Sequence, residues 1–231
     1  MMEDPKKWGF IFALILVTLI FSVAAVFTPW WKVTTTRENE IMRLNISAPV
    51  IAMRAEYGLF RTVSATRITK VENETLSISM PFANLTGNDA DKNALSSMFN
   101  NALTLTMVGS ALTALTAVMV LVSGLHRPLL FKYAKFGGII AALLLATASI
   151  YLMVEMPPVV SKLTSVIPTD IYELAGSNIK GFWGGIDMET TTGFQEWIWE
   201  PAFGWYLAFT AFLLNAATSM LIHTIYGKTR N

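Results

Sequence analysis

Four apolar runs interrupt an otherwise mixed chain. Trp8 to Phe27 covers 20 residues without a charge, Ala102 to Leu125 covers 24, Phe136 to Val154 covers 19 and Phe203 to Ile222 covers 20. A helix needs about 20 apolar residues to cross a hydrocarbon layer of roughly 30 Å, and in lipid only a backbone that closes its own hydrogen bonds persists. The runs therefore predict four membrane helices. Between them the period changes. Met42–Ile46, Thr62–Val71 and Thr75–Met80 alternate β-branched and polar residues, as half-buried strands do, with Glu72-Asn73-Glu74 as the turn joining the last two. The expected fold class is a membrane all-α four-helix bundle with a small antiparallel β-sheet extracellular domain formed by the loops.

Charge orients this scheme. Lys6, Lys7, Arg127, Lys132, Lys135, Lys228 and Arg230 flank the runs on one side, with only Glu3 and Asp4 as acids there. Those segments are short, where the excess of Lys and Arg marks the cytoplasm. The other side holds a long first loop and a second that sets two lysines, Lys162 and Lys180, against seven acids. The expected order is a cytoplasmic N-terminus (1–7), a first span (8–27), an external first loop (28–101), a second span (102–125), a cytoplasmic loop (126–135), a third span (136–154), an external second loop (155–202), a fourth span (203–222) and a cytoplasmic C-terminus (223–231). The expected location is the plasma membrane. Ser22-Val23-Ala24, behind Lys6-Lys7, also resembles a signal-peptidase site. A signal core usually has about 7–15 apolar residues, so a retained first helix is the expectation, and cleavage would leave three spans with the same sidedness.

Composition narrows the partners. Hydrophobic residues make up 53% of the 231-residue chain and charged residues 14%, against roughly a quarter charged in a soluble domain. The lipid bilayer and other membrane proteins are the expected partners. A net charge of +1 supplies no basic stripe for nucleic acid. There is no cysteine, which excludes disulfides and thiolate chemistry.

The loops carry aromatics and sequons. Trp30 and Trp31 follow the first span directly and are expected at the head-group boundary. The second loop opens with Pro157-Pro158, contains Gly181-Phe182-Trp183-Gly184-Gly185 and closes with Trp197-Ile198-Trp199-Glu200-Pro201. These aromatics read either as an interfacial belt and loop core, the ordinary case, or as a docking surface. Asn45, Asn73 and Asn84 begin N-x-S/T tripeptides, all on the expected external side and so candidates for glycosylation.

This layout resembles the claudin-like tetraspan superfamily, which includes claudins and stargazin-type receptor subunits. Trp30 lies just past the first span, where that superfamily has its loop tryptophan. Gly58-Leu59-Phe60-Arg61-Thr62 resembles its Gly-Leu-Trp element, with Phe60 in the tryptophan's place, and Phe203-Gly204-Trp205-Tyr206-Leu207-Ala208-Phe209 resembles the start of the stargazin-type fourth helix. The superfamily's paired loop cysteines are absent, with Val63 where the first would fall, and the second loop is longer than a claudin's. The resemblance implies a contact protein, and the missing cysteines suit a prokaryotic relative.

Candidate chemistry is sparse. The apolar runs contain no Asp, Glu, Lys or Arg, the usual markers of an ion path or proton relay. Asn215 is the most polar residue deep in a run and reads as an interhelical hydrogen bond. His126 and His223 flank the second and fourth runs and are weak candidates for cofactor binding, lacking a third ligand. No catalytic or metal residue is assigned and no cofactor is expected. Gly109, Ser110, Gly137, Gly138 and Gly204 head small-x-x-x-small patterns that let helices approach closely. Trp30, Trp31, Gly58, Leu59, Phe60, Trp183, Trp197 and Trp199 are the candidate contact residues. The expected function is non-catalytic contact, as an accessory subunit or an adhesion-type protein. A cation-conducting pore component and a small redox subunit are the alternatives.

Overall fold

The computed structural model describes residues 5–39, 51–69, 74–85, 87–125, 130–166, 174–190 and 193–227. Among them are four helices long and apolar enough to cross a membrane, and one antiparallel sheet of six strands. The helices are α1 (Pro5–Phe27), α2 (Asp89–Leu125), α3 (Leu130–Val160) and α4 (Phe203–Gly227). The strands are β1 (Pro29–Asn39), β2 (Ile51–Gly58), β3 (Thr62–Thr69), β4 (Glu74–Pro81), β5 (Gly184–Thr190) and β6 (Gly193–Pro201).

Helix α2 begins well before its apolar run. Asp89 to Asn101 was expected in a loop, but Asn88 caps the helix by accepting from the Asp91 N–H at 2.8 Å, and Asp89 and Asp91 occupy the first turn. A side-chain cap and acids at a helix N-terminus both stabilise it. The start of the second loop also differs from expectation. Pro157 and Pro158 lie inside α3, where they remove two N–H donors from the final turn. Ser161 N–H reaches Pro157 O at 2.9 Å, just beyond the helix.

The chain divides into two compact units. One comprises residues 1–27, 101–151 and 204–231, the other 28–100 and 152–203. In the helical unit Ile11, Ile15, Ala117, Val120, Phe131, Ala134 and Ile222 form a buried cluster. Phe10, Ile20, Leu115, Val118, Leu143, Leu213 and Met220 stay exposed, as lipid-facing positions of a spanning helix do.

The sheet order is β4-β3-β2-β1-β6-β5. β1 is central, pairing with β2 (Val33 opposite Ala55) and with β6 (Val33 opposite Trp199). The alternation is sharp. Trp31, Val33, Thr35, Met53, Ala55, Tyr57, Val63, Ala65, Gln195, Trp197 and Trp199 are buried on one face. Lys32, Thr34, Thr36, Arg54, Glu56, Ser64, Thr66, Glu196 and Ile198 take the other, which is half-buried or exposed. The expected strands Thr62–Val71 and Thr75–Met80 correspond to β3 and β4, paired with Thr69 opposite Glu74. Met42–Ile46 and the turn residues Glu72 and Asn73 lie outside the described residues. β1, β2, β5 and β6 are additions to the expected strands.

Candidate functional site

The large apolar contact candidates of the loops fall into two classes. Trp30, Trp31, Leu59 and Trp197 are fully buried and Trp199 nearly so. Alternation on the central strand turns Trp31 into the sheet's covered side, where its ring meets Tyr57 at 5.2 Å, and Trp30 is buried with it. The glycine-rich segment serves the indoles. Trp31 Nε1 donates to Phe182 O at 2.8 Å and Trp199 Nε1 donates to Gly181 O at 3.0 Å. Two successive carbonyls thus satisfy two buried donors. The Trp199 ring lies over Gly184, where an added Cβ would sit 2.9 Å from it.

Phe60 and Trp183 form the second class, 50% and 58% exposed. Gly58 closes β2, and the turn after it carries Leu59 inward and Phe60 outward. Arg61 adopts φ 60°, and its N–H returns to Gly58 O at 3.1 Å. Trp183 precedes β5 and meets Phe182 edge-on at 5.9 Å. Register puts both at one end of the sheet, since Gly58 faces Pro29 and Gly184 faces Trp199. Ile198, 42% exposed and opposite Thr34, adds apolar surface on the outer face. Around them the outer face is hydroxylated, with Ser64–Ser79 and Thr66–Ser77 pairs at 3.3 Å. It also carries the Lys32–Glu200 pair at 2.8 Å, which is partly solvated and contributes little to stability.

Tyr57 anchors the covered side. Its hydroxyl donates to Val166 O, and its ring meets Phe82 at 5.7 Å and Phe99 at 6.4 Å. Burial pushes the phenol well above the ordinary tyrosine range. The folded value is raised, so Tyr57 contributes its full stabilisation below pH about 10, and loses it as pH rises above that, where the unfolded chain ionises first. Tyr57→Phe leaves the Val166 carbonyl without this partner and is expected to cost about 1–3 kcal/mol at neutral pH. The same variant should lose the last tyrosine to ionise in an ultraviolet alkaline titration. A tyrosinate signal unchanged by the substitution would contradict this assignment.

In the helical unit, side-chain bonds lace the helices. Trp8 Nε1 donates to Val120 O at 3.1 Å (α1 to α2), Asn215 Nδ2 to Thr113 Oγ1 at 3.0 Å (α4 to α2), and Trp205 Nε1 to Ser149 O at 2.9 Å (α4 to α3). Asn215 thus makes the interhelical bond expected of it, a contact worth roughly 0.6–2 kcal/mol. The hydroxyls of Thr18, Thr106, Ser110, Thr113, Thr116, Ser123, Ser149 and Thr218 donate to carbonyls four residues back in their own helices.

The small residues mark close approaches. An added Cβ at Gly109 would meet Leu145 at 3.0 Å, at Gly137 Thr116 Oγ1 at 2.7 Å, and at Gly138 Ser219 Oγ at 2.4 Å. Gly204 is buried, and Ser110 nearly so. Ser219 Oγ can swing away from one methyl, so Gly138→Ala should cost little. Gly138→Leu overpacks the α3–α4 contact and should lower detergent stability by about 1–3 kcal/mol. Unchanged melting of the leucine variant would remove Gly138 from that contact. Sequence reading missed the tightest approach in this unit. Gly124 lies beneath the Trp8 indole, 1.8 Å from an added Cβ, and a glycine so close to a span end gives no signal of what covers it.

His223 Nδ1 lies 3.3 Å from Lys135 Nζ, and His126 is outside the described residues. No group of three or more His, Asp or Glu among the described residues is placed to hold a metal ion. Asn84 is exposed at the end of a short 3₁₀ turn, Phe82–Asn84, while Asn45 and Asn73 are outside the described residues. No protein-family model matches the chain, and no curated protein matches it.

Proposed function

We propose that this is a non-catalytic four-pass membrane protein that acts by contact, docking through its sheet unit onto another membrane protein as an accessory or adhesion-type component. The division of the aromatics carries this reading. Trp31, Trp197 and Trp199 build the core, whereas Trp183 and Phe60 are exposed at one end of the sheet. Exposed aromatics beside polar surface are the residues that dominate binding energy at interfaces. A sheet drawn from both connecting segments also supports a claudin-like relationship, with both termini cytoplasmic and Asn84 available for glycosylation.

Extraction of the protein from its native membrane in mild detergent tests the proposal. A stoichiometric membrane partner is expected, and it should be lost from the Trp183→Ser/Phe60→Ser variant while melting stays unchanged. A solitary monomer in every mild extraction would overturn it. The second reading, a cation-conducting pore component, is favoured by Asp187 standing opposite Glu196, and planar-bilayer recording distinguishes it.

A further inference from the structure

The helical unit is strongly basic. Its residues include Lys6, Lys7, Arg127, Lys132, Lys135, Lys228 and Arg230 against Glu3 and Asp4, seven bases to two acids. Every one of these charges flanks an apolar run on the side where α1 starts, α2 meets α3 and α4 ends. At that end two helices bring a donor pair together. Lys135 of α3 places its ammonium 3.3 Å from Nδ1 of His223 on α4, and 5.2 Å above the Phe136 ring. An ammonium has only donors, so beside it Nδ1 accepts and the ring proton sits on Nε2, a donor on an exposed side chain. Among the described residues no carboxylate pairs with Lys135. Phe136, 49% exposed, sets aromatic surface beside the Lys135 ammonium, and Lys132 lies one turn back on α3, also exposed.

We propose that Lys135 and His223 form a binding site for the phosphate of an anionic phospholipid head group. The ammonium and the Nε2–H supply two donors to phosphate oxygens, Lys132 adds charge, and Phe136 lies against the glycerol and upper acyl region. The site stands at the end of two apolar runs, the depth at which head groups lie. Basic pockets between spanning helices have this composition, and interfacial aromatics favour this depth. The site is independent of the contact reading, since it uses no residue of the sheet unit.

Native mass spectrometry of the delipidated full-length protein in detergent tests it, with phosphatidylglycerol and phosphatidylcholine as competing probes. Preferential retention of phosphatidylglycerol is expected. Lys135→Gln should reduce that preference roughly fivefold, the effect of one interfacial charge, and His223→Leu should reduce it further, with both variants melting as the parent does. Lys180→Gln, which removes the same charge from the sheet unit, should leave it unchanged. Equal retention of both lipids, or equal losses from Lys135→Gln and Lys180→Gln, would overturn the site. Inorganic phosphate that displaces the lipid at equimolar concentration would show a free-anion site and overturn the lipid assignment.

Discussion

Gly176→Ala is expected to unfold the sheet unit at temperatures the parent chain tolerates. A methyl at Gly176 would lie 1.9 Å from Val160 O and 2.7 Å from Leu163 O. Both obstacles are backbone, so no side-chain rotation relieves them. The segment is already closed by hydrogen bonds. Gly176 N–H donates to Leu163 O at 3.1 Å, Leu163 N–H to Val160 O at 3.0 Å, and Ile179 N–H to Gly176 O at 2.9 Å. Opening this loop also moves Val166, whose carbonyl receives Tyr57. Displaced backbone of this kind costs roughly 3 kcal/mol or more, near the upper end of overpacking effects. Circular dichroism on heating should show strand signal lost before helix signal. A melting curve matching the parent's would place the Val160 carbonyl elsewhere.

Trp31→Ala is the second large effect. The substitution empties a fully buried site on the central strand, removes the ring against Tyr57 and leaves the Phe182 carbonyl without its indole donor. Large-to-small changes of this kind cost roughly 3–5 kcal/mol. Trp31→Phe keeps most of the ring and loses the hydrogen bond, and should cost about 1–2 kcal/mol. The order Ala well below Phe, with Phe below the parent, is the expected ranking in denaturant titration. Equal stability of all three would mean that Trp31 is not a core residue.

The helices were legible because lipid imposes one rule on every residue that enters it, and twenty neutral positions in a row satisfy few other purposes. Their ends were less so. Residues 89–101 are polar enough to read as loop, yet Asn88, Asp89 and Asp91 form a cap that only the three-dimensional turn reveals. Strands β3 and β4 showed their alternation plainly. β6 carried it too, in Gln195, Trp197 and Trp199, but tryptophans near a membrane carry two meanings and period alone does not choose between them. The candidate contact residues were visible as aromatics, while their division into buried Trp31 and exposed Trp183 depends on which carbonyls the Gly181–Phe182 segment presents. The Lys135–His223 pair joins residues 88 positions apart and has no local signature.

The position of β1 sets an order of events during synthesis. Its neighbour β2 arrives in the same connecting segment, but its other neighbour, β6, comes immediately before the last helix. A nascent chain that has placed three helices therefore displays a four-stranded half-sheet whose inner edge, lined by Trp31 and Val33, is unmated. Such an edge invites pairing with any available strand. The sheet is completed only when the β5–β6 hairpin has been made, so a ribosome stalled before residue 193 leaves a sticky intermediate rather than a smaller stable protein.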